Sequence, residues 1–520
     1  MKPRLFFFSI VTLSLLFFNC SNNDIEKYEV VPKFGFESIT DLETAIDTLH
    51  VDVAHMVKWN TYFVLSWAGD DITTFGLSSI ADYWGMDKRE QWDRFSRTDA
   101  IWRESYDIII DINNMLYNAN GFEVANAEDK DRLLGQAYFI RGVLYHHLVR
   151  VFKTIPLQLG TEIDIDKAIS NTADVYRHIE SDYLKAASLL PAIYPGSEMG
   201  APRPNKGSAR AFLSRLYLDW AGYPVKDVGK YELAASTAKQ VIDAHGDHGF
   251  GLVNDLDDLW TIEHRFNKES VYTVVHCTAC PQGGNYKTGK IGIPTELGGW
   301  GQTFAEIKFF ETFPDNHRKN ATYITDFELN DPYSNPPGGP TLNWVNFPEQ
   351  KDPLFAKITG KGDISRETHE NDRNTYMMRY AEVLLIFAEA SARAGNSSPE
   401  AWEALNKIRR RAELLPPDEP NVSVDVHSGD LVELAFQERG WEFAGEFLRW
   451  FDLVRTERVE EFLNESYRND ISSVVTDSNN KDYGHPLKEF NNITGSLGPD
   501  NYFAPFPEHY KELYIIEEEE

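Results

Sequence analysis

The sequence predicts a mostly α-helical protein. It reads as stacked helical hairpins of the tetratricopeptide kind, degenerate in their repeats, with long loops and a few short strands between them. Three observations carry this. Apolar residues recur at steps of three and four along several long segments. Small residues such as Ala381, Ala388, Ala390 and Ala392 let neighbouring helices approach closely. Glycine and proline are concentrated in a few stretches between the periodic segments. No strict period of about 34 residues runs through the chain, so the repeats have drifted apart.

The chain opens with Lys2 and Arg4, followed by an apolar run from Leu5 to Phe18. That run is shorter than the ~20 residues a membrane-spanning helix needs, and it has the layout of an export signal. It ends at Asn19-Cys20-Ser21. A cysteine directly after a signal core resembles a bacterial lipoprotein site, in which residues 1–19 are removed and Cys20 is lipidated. An ordinary secretory signal is the alternative.

The periodic segments follow in order. Leu133, Ala137, Ile140, Leu144, Leu148 and Val151 mark one face of a long helix. Ala209, Phe212, Leu213, Leu216, Tyr217 and Trp220 mark a second, and Tyr380, Leu384, Phe387, Ala388 and Ser391 a third. Trp402, Leu405, Ile408 and Ala412 mark a fourth, entered through Ser398 as N-cap and Pro399 in the first turn. Between the second and third, Ser270 to His276 is a short strand candidate, rich in β-branched residues. Residues 281–301 and 331–340 are long glycine- and proline-rich loops, which in a compact helical protein carry function or cover something.

Composition narrows the function classes. The 520 residues are 42% hydrophobic, enough for a large core, and 13% aromatic, which excludes a disordered acidic chain. The net charge of −30 disfavours nucleic acid and anionic head groups. After Cys20, two cysteines remain, Cys277 and Cys280. With no second pair they do not make a four-ligand zinc site, although His264 and His276 are near, and an exported protein favours a local disulfide or two inert thiols. Gly284 to Ile291 (GNYKTGKI) has Ile291 where a phosphate-binding loop needs Ser or Thr. Asp326, Glu328 and Asn330 alternate as in a calcium loop, but Pro337 stands where its closing Glu belongs. His245 and His248 lack the spacing of a helical metal pair and read as a turn. No cofactor or metal is expected.

The densest chemistry lies in Glu438 to Arg455, ERGWEFAGEFLRWFDLVR. Leu431, Leu434, Glu438, Trp441, Gly445, Leu448 and Phe451 step by three and four, so the stretch is expected to form one helix. Glu438 and Glu446 would then stand about 12 Å apart along it, farther than the pair a glycosidase places across its cleft. Glu446 can meet Arg449, and Asp452 can meet Arg455, one turn apart. Arginine beside a carboxylate depresses its pKa, the wrong direction for a general acid. Glu438, Arg439, Glu442, Glu446, Arg449 and Asp452 are therefore read as a structural ion-pair network, and no catalytic residue is assigned.

These residues also carry a family resemblance. Glu438, Arg439, Glu442, Phe443, Gly445, Glu446, Arg449, Asp452, Leu453 and Arg455 resemble the C-terminal signature of the SusD-like (RagB/SusD) nutrient-binding lipoproteins of Bacteroidetes. Segments 102–116, 135–157, 205–221, 378–395, 404–412 and 501–510 resemble other segments of that family, in family order. Lys153-Thr154 departs from it, standing where an aromatic-Gly pair is usual. Asp24 and Glu26, just after Cys20, resemble its surface-export tag. The resemblance implies one domain over 20–520, a helical repeat scaffold at approximately 40–270 and 375–460 with loop-rich insertions at approximately 66–100 and 270–375. It also implies a non-catalytic, lipid-anchored protein on the outer face of the outer membrane. Such a protein captures a glycan, or in the alternative a peptide or other non-sugar nutrient, and passes it to a SusC-like TonB-dependent transporter.

Binding residues carry no motif in that family, so they are argued from chemistry. Sugars are held by aromatic faces, with carboxylates bonding their hydroxyls. Trp84 and Trp92 lie in polar, loop-like sequence, with Tyr83 as a further face; core packing and ligand stacking are both open for the two tryptophans. Asp70 and Asp71 occupy the neighbouring loop, with turn chemistry as their other role. Tyr286 and Trp300 in the glycine-rich loop complete the candidates. Trp59 and Trp102 fall in helical patterns and read as core.

Overall fold

The computed structural model describes residues 35–510, apart from 77–80, 91–95, 195–202, 296–297, 329–340, 361–369, 465–467, 469, 490, 497 and 508–509. The expected signal segment, Cys20, Trp92, Asn330 and Pro337 lie outside the described residues.

Helices dominate. The first seven are α1 (Ile39–Val57), α2 (Ala81–Lys88), α3 (Ser96–Ala119), α4 (Ala127–Phe152), α5 (Thr172–Leu189), α6 (Lys206–Ala221) and α7 (Lys230–Asp243). Three short ones follow, α8 (Ile307–Thr312), α9 (His317–Thr322) and α10 (Ala356–Thr359). The last are α11 (Tyr380–Arg393), α12 (Pro399–Ala412), α13 (Leu431–Glu442), α14 (Arg449–Arg455) and the short α15 (Val459–Phe462). The starts are written in the sequence. Ser38 and Asp41 form a capping box on α1, Asn205 and Ser208 another on α6. Ser398 caps α12 with Pro399 in its first turn, as its sequence predicts.

The long helices stack in succession: α4 on α5, α5 on α6, α6 on α7, α7 on α11, and α11 on both α12 and α13. This is the mostly helical, repeat-like scaffold expected from the periodicity. The predicted faces of α4 and α11 are buried in its core. Strand Ser270–Val274 pairs antiparallel with Thr375–Arg379, joining the two halves of the scaffold. The cysteines that follow that strand, Cys277 and Cys280, are bonded to each other.

One expected element is different. The stretch from Glu438 to Arg455 is two helices, α13 and α14, with a turn over 443–448. Gly445 and Phe447 both adopt positive φ there, 74° and 65°. The three-and-four apolar spacing passes through the turn and hides it. A Cβ on Gly445 would lie 2.7 Å from the ring of Phe355, so the turn needs both the conformation and the space of glycine. The candidate loop around Trp84 is likewise helical, as α2.

Candidate functional site

A partly exposed cluster of near-parallel aromatic rings forms where α1 meets the glycine-rich loop. Helix α1 ends at Val57, leaving carbonyls without partners inside the helix. The loop supplies them: the Tyr286 N–H donates to Lys58 O at 2.9 Å, and Lys287 Nζ donates to Val57 O. Capping the helix end in this way lays the Tyr286 ring on the indole of Trp59, centroids 4.2 Å apart and planes 27° apart. Trp300 joins them, its ring 6.1 Å from Trp59 and within 12° of parallel. Its position depends on Gly299, where a Cβ would stand 2.0 Å from Ile293 O, and on its own N–H, which donates to Lys290 O at 2.8 Å.

The loop is braced on its other side. The Cys277–Cys280 disulfide closes a tight ring that Gly283 completes by bonding to both cysteines' backbones. Asn285 then bridges to Asn371. Trp59 is 37% exposed, and Tyr286 and Trp300 are half-buried. Lys58 Nζ lies 5.7 Å from the Tyr286 ring centre. Partial burial and a hydrogen bond to Glu370 push the Tyr286 hydroxyl above its usual range.

The sequence candidates therefore separate. Tyr286 and Trp300 come together. Trp59, read as core, is 37% exposed and stacks with each of them, which corrects that expectation. Trp102 is core, 1% exposed. Asp70 and Asp71 are buried and committed: Asp70 takes a two-point contact from Arg449 (2.7 and 3.0 Å), and Asp71 accepts the Gly445 N–H at 2.9 Å. They pin the turn between α13 and α14 instead of facing a ligand. Tyr83 is buried against Trp67, ring centroids 4.2 Å apart. Trp84 is partly buried on α2 with Lys88 Nζ 4.7 Å over its ring, so that face is covered.

The carboxylate–arginine stretch is an internal ion-pair network. Glu438 pairs with Arg318 at 2.6 Å. Glu442 meets Arg411 at 2.6 Å, Arg379 at 3.0 Å and Arg318 at 3.3 Å. Arg439 and Arg455 both hold Asp452, at 3.1 and 2.8 Å, and Arg455 reaches on to Glu389 at 2.7 Å. The expected Glu446–Arg449 pair is absent. With the helix broken between them, Glu446 turns to Lys357 (2.7 Å) and Arg379 (2.8 Å), and Arg449 to Asp70. Burial raises Glu442, but Arg411, Arg379 and Arg318 outweigh it and hold the carboxyl down to about 2. A carboxyl so acidic keeps no proton to donate at neutral pH.

Among the described residues, Asp255, Asp257 and His317 offer ligand atoms within 4.8 Å of one another. His317 Nε2 already pairs with Asp255 at 2.9 Å, and the Asp257 N–H bonds the same carboxylate. Hydrogen bonds around the Asp255 cap of a short 3-10 helix account for this cluster.

Comparison with known proteins agrees with the architecture. A family model described as "SusD family" matches residues 296–510, and one described as "Starch-binding associating with outer membrane" matches 23–218. The chain belongs to the SusD-like family. It is similar to the SusD-like protein P2 of Formosa agariphila, 27% identical over 517 residues that cover 92% of this chain and 95% of that one. Among solved structures, a SusD homolog from Bacteroides thetaiotaomicron shares the fold with a TM-score of 0.76 at 19% identity, over 94% of this chain and 97% of that one. A laminarin-binding SusD-like protein does so with a TM-score of 0.65 at 23% identity, over 83% and 93%. Among the described residues of this SusD-like chain, no helix is long and apolar enough to cross a membrane.

Proposed function

We propose that this SusD-like protein is a non-catalytic nutrient-capture lipoprotein that binds a glycan on the ring cluster of Trp59, Tyr286 and Trp300. The near-parallel stacking of three partly solvent-facing rings, with Trp59 37% exposed, carries the reading. Aromatic surface that such a stack leaves to solvent is costly unless covered, and sugar C–H surfaces cover it well. A related fold that binds laminarin supports the ligand class. The lipid would be on Cys20, the location the outer face of the outer membrane, and the recipient a SusC-like TonB-dependent transporter. The family and the description of the model matching 23–218 support that setting. The non-catalytic role is supported by the arginine-bound state of Glu438, Glu442 and Asp452. A peptide ligand is the second reading, favoured by the net charge of −30, which would draw basic peptides.

The test is retention on a polysaccharide panel with reducing ends assayed in the same wells. Retention without new reducing ends is expected. New ends, abolished by one Asp or Glu change, would make the protein a glycosidase. Retention of tryptic digests and of no polysaccharide would favour the peptide reading.

A further inference from the structure

Helices α4 and α5, the strand Thr375–Arg379 and the turn over 443–448 line a cavity of about 50 Å³, room for about three to five water-sized spheres. Two buried polar atoms of its lining residues have no hydrogen-bond partner among the described residues, His147 Nε2 and the Tyr183 hydroxyl. His147 is 8% exposed and Tyr183 0%. The imidazole lies on the Tyr62 ring, 3.7 Å between centres, and donates a hydrogen bond to the Tyr62 backbone. Burial holds it neutral, with Arg150 adding to the effect. A neutral ring that donates through one nitrogen keeps the other as an acceptor. The Tyr183 ring is packed against Phe139 and Phe212, so its hydroxyl is not free to swing to another partner. The charged side chains in the walls are already paired. Arg215 holds Glu382 at 2.8 Å, Arg379 holds Glu446 at 2.8 Å, and Arg150 and His146 share Asp219 at 3.3 and 2.9 Å.

We propose that this cavity binds a neutral hydroxyl ligand, a few ordered waters or one short polyol, that donates to His147 Nε2 and pairs with the Tyr183 hydroxyl. A buried polar atom left unpaired is costly, and two on one cavity point to a shared partner. The imidazole nitrogen needs a donor, and a hydroxyl both donates and accepts, so one ligand type serves both atoms. An anion would face the nitrogen lone pair, and a cation would stand beside three arginines. An apolar ligand would leave both atoms unmet. The volume admits a few waters or a chain of about the same number of heavy atoms. The site lies in the helical scaffold and is independent of whether the ring cluster binds glycan.

Urea unfolding of the full chain tests it, at pH 8, where His147 is neutral whether folded or unfolded. Tyr183→Phe removes only the hydroxyl. With a bridging ligand in place, it should lower the folding equilibrium constant about fivefold or more. In a His147→Phe background, where the ligand has already lost one anchor, the same change should cost much less. Without a ligand, Tyr183→Phe deletes an unmet hydroxyl and should be neutral or stabilising. That result, or an equal loss in both backgrounds, would overturn the site. Diffraction from wild-type crystals grown without polyol decides the matter even if a variant fails to fold. Density within hydrogen-bond distance of both His147 Nε2 and the Tyr183 hydroxyl is expected, and a cavity without it would overturn the proposal. A polyol released when protein purified without such additives is denatured identifies the ligand as a polyol; density with no polyol released identifies it as water.

Discussion

The indole of Trp59 is exposed because α1 stops at Val57 and the chain after it turns away. In the sequence, Trp59 continues the apolar rhythm of that helix and looks like core. Its real partner, Tyr286, is over two hundred residues away, and no local pattern links them. Tyr286 and Trp300 stand out as aromatic residues of a glycine-rich loop, and both remain partly exposed although Trp300 also packs against the main core. Asp70 and Asp71 mislead because an acidic loop looks solvated until Arg449 is known to reach it. The network's residues make their own prediction. Glu442→Gln removes the charge shared by Arg411, Arg379 and Arg318 and leaves three buried guanidinium groups short of a partner. The expected loss is about 3–5 kcal/mol of unfolding free energy. Urea denaturation measures it, and a loss under about 1 kcal/mol, the range of an exposed pair, would contradict the buried-network description.

At the scale of elements, helices were readable wherever an apolar stripe coincided with a cap, as in α4, α6 and α12. The break between α13 and α14 was not, because its cause lies in tertiary contacts of Gly445 with Phe355 and Asp71. Two positive-φ positions test this with opposite signs. Gly445→Ala should cost about 1–3 kcal/mol, since both conformation and space are wrong for a methyl group. Lys153, which ends α4, holds φ at 66° with a full side chain. Lys153→Gly should therefore stabilise the protein by up to about 1 kcal/mol. Chemical denaturation of the two variants reads both. A stabilising Gly445→Ala or a destabilising Lys153→Gly would show that these turns are not held as described.

Over the whole molecule, burial fixes protonation states that an unfolded chain would release. Burial lowers His147 to about 3, with Arg150 adding to the effect, and lowers His50 to about 3, with Arg203 adding. These groups are neutral when folded and titrate near 6.5 when unfolded. Their contribution is complete above about 6.5 and is lost as pH falls from there toward 3. Burial acts oppositely on Asp71 and Glu489, raising each to about 7, so they favour folding as pH drops below 7. A single substitution separates the histidine effect from this balance and from relief of the net charge. His147→Phe keeps the stack on Tyr62, 3.7 Å between ring centres, and removes one titration. The wild type should lose stability between pH 6.5 and 4.5 more steeply than the variant, by up to about 1.4 kcal/mol per pH unit. Identical slopes in urea titrations would mean that His147 is not held neutral.

Under the proposed function, ligand capture depends on the ring cluster of Trp59, Tyr286 and Trp300. Its most direct test is the affinity of wild type and Trp59→Ala for whichever polysaccharide retains the wild type, measured by calorimetry with thermal unfolding run alongside. An affinity loss of about tenfold, equivalent to about 1.4 kcal/mol, is predicted with little change in melting temperature. Equal affinity in a folded Trp59→Ala protein would contradict the placement of the glycan on these rings.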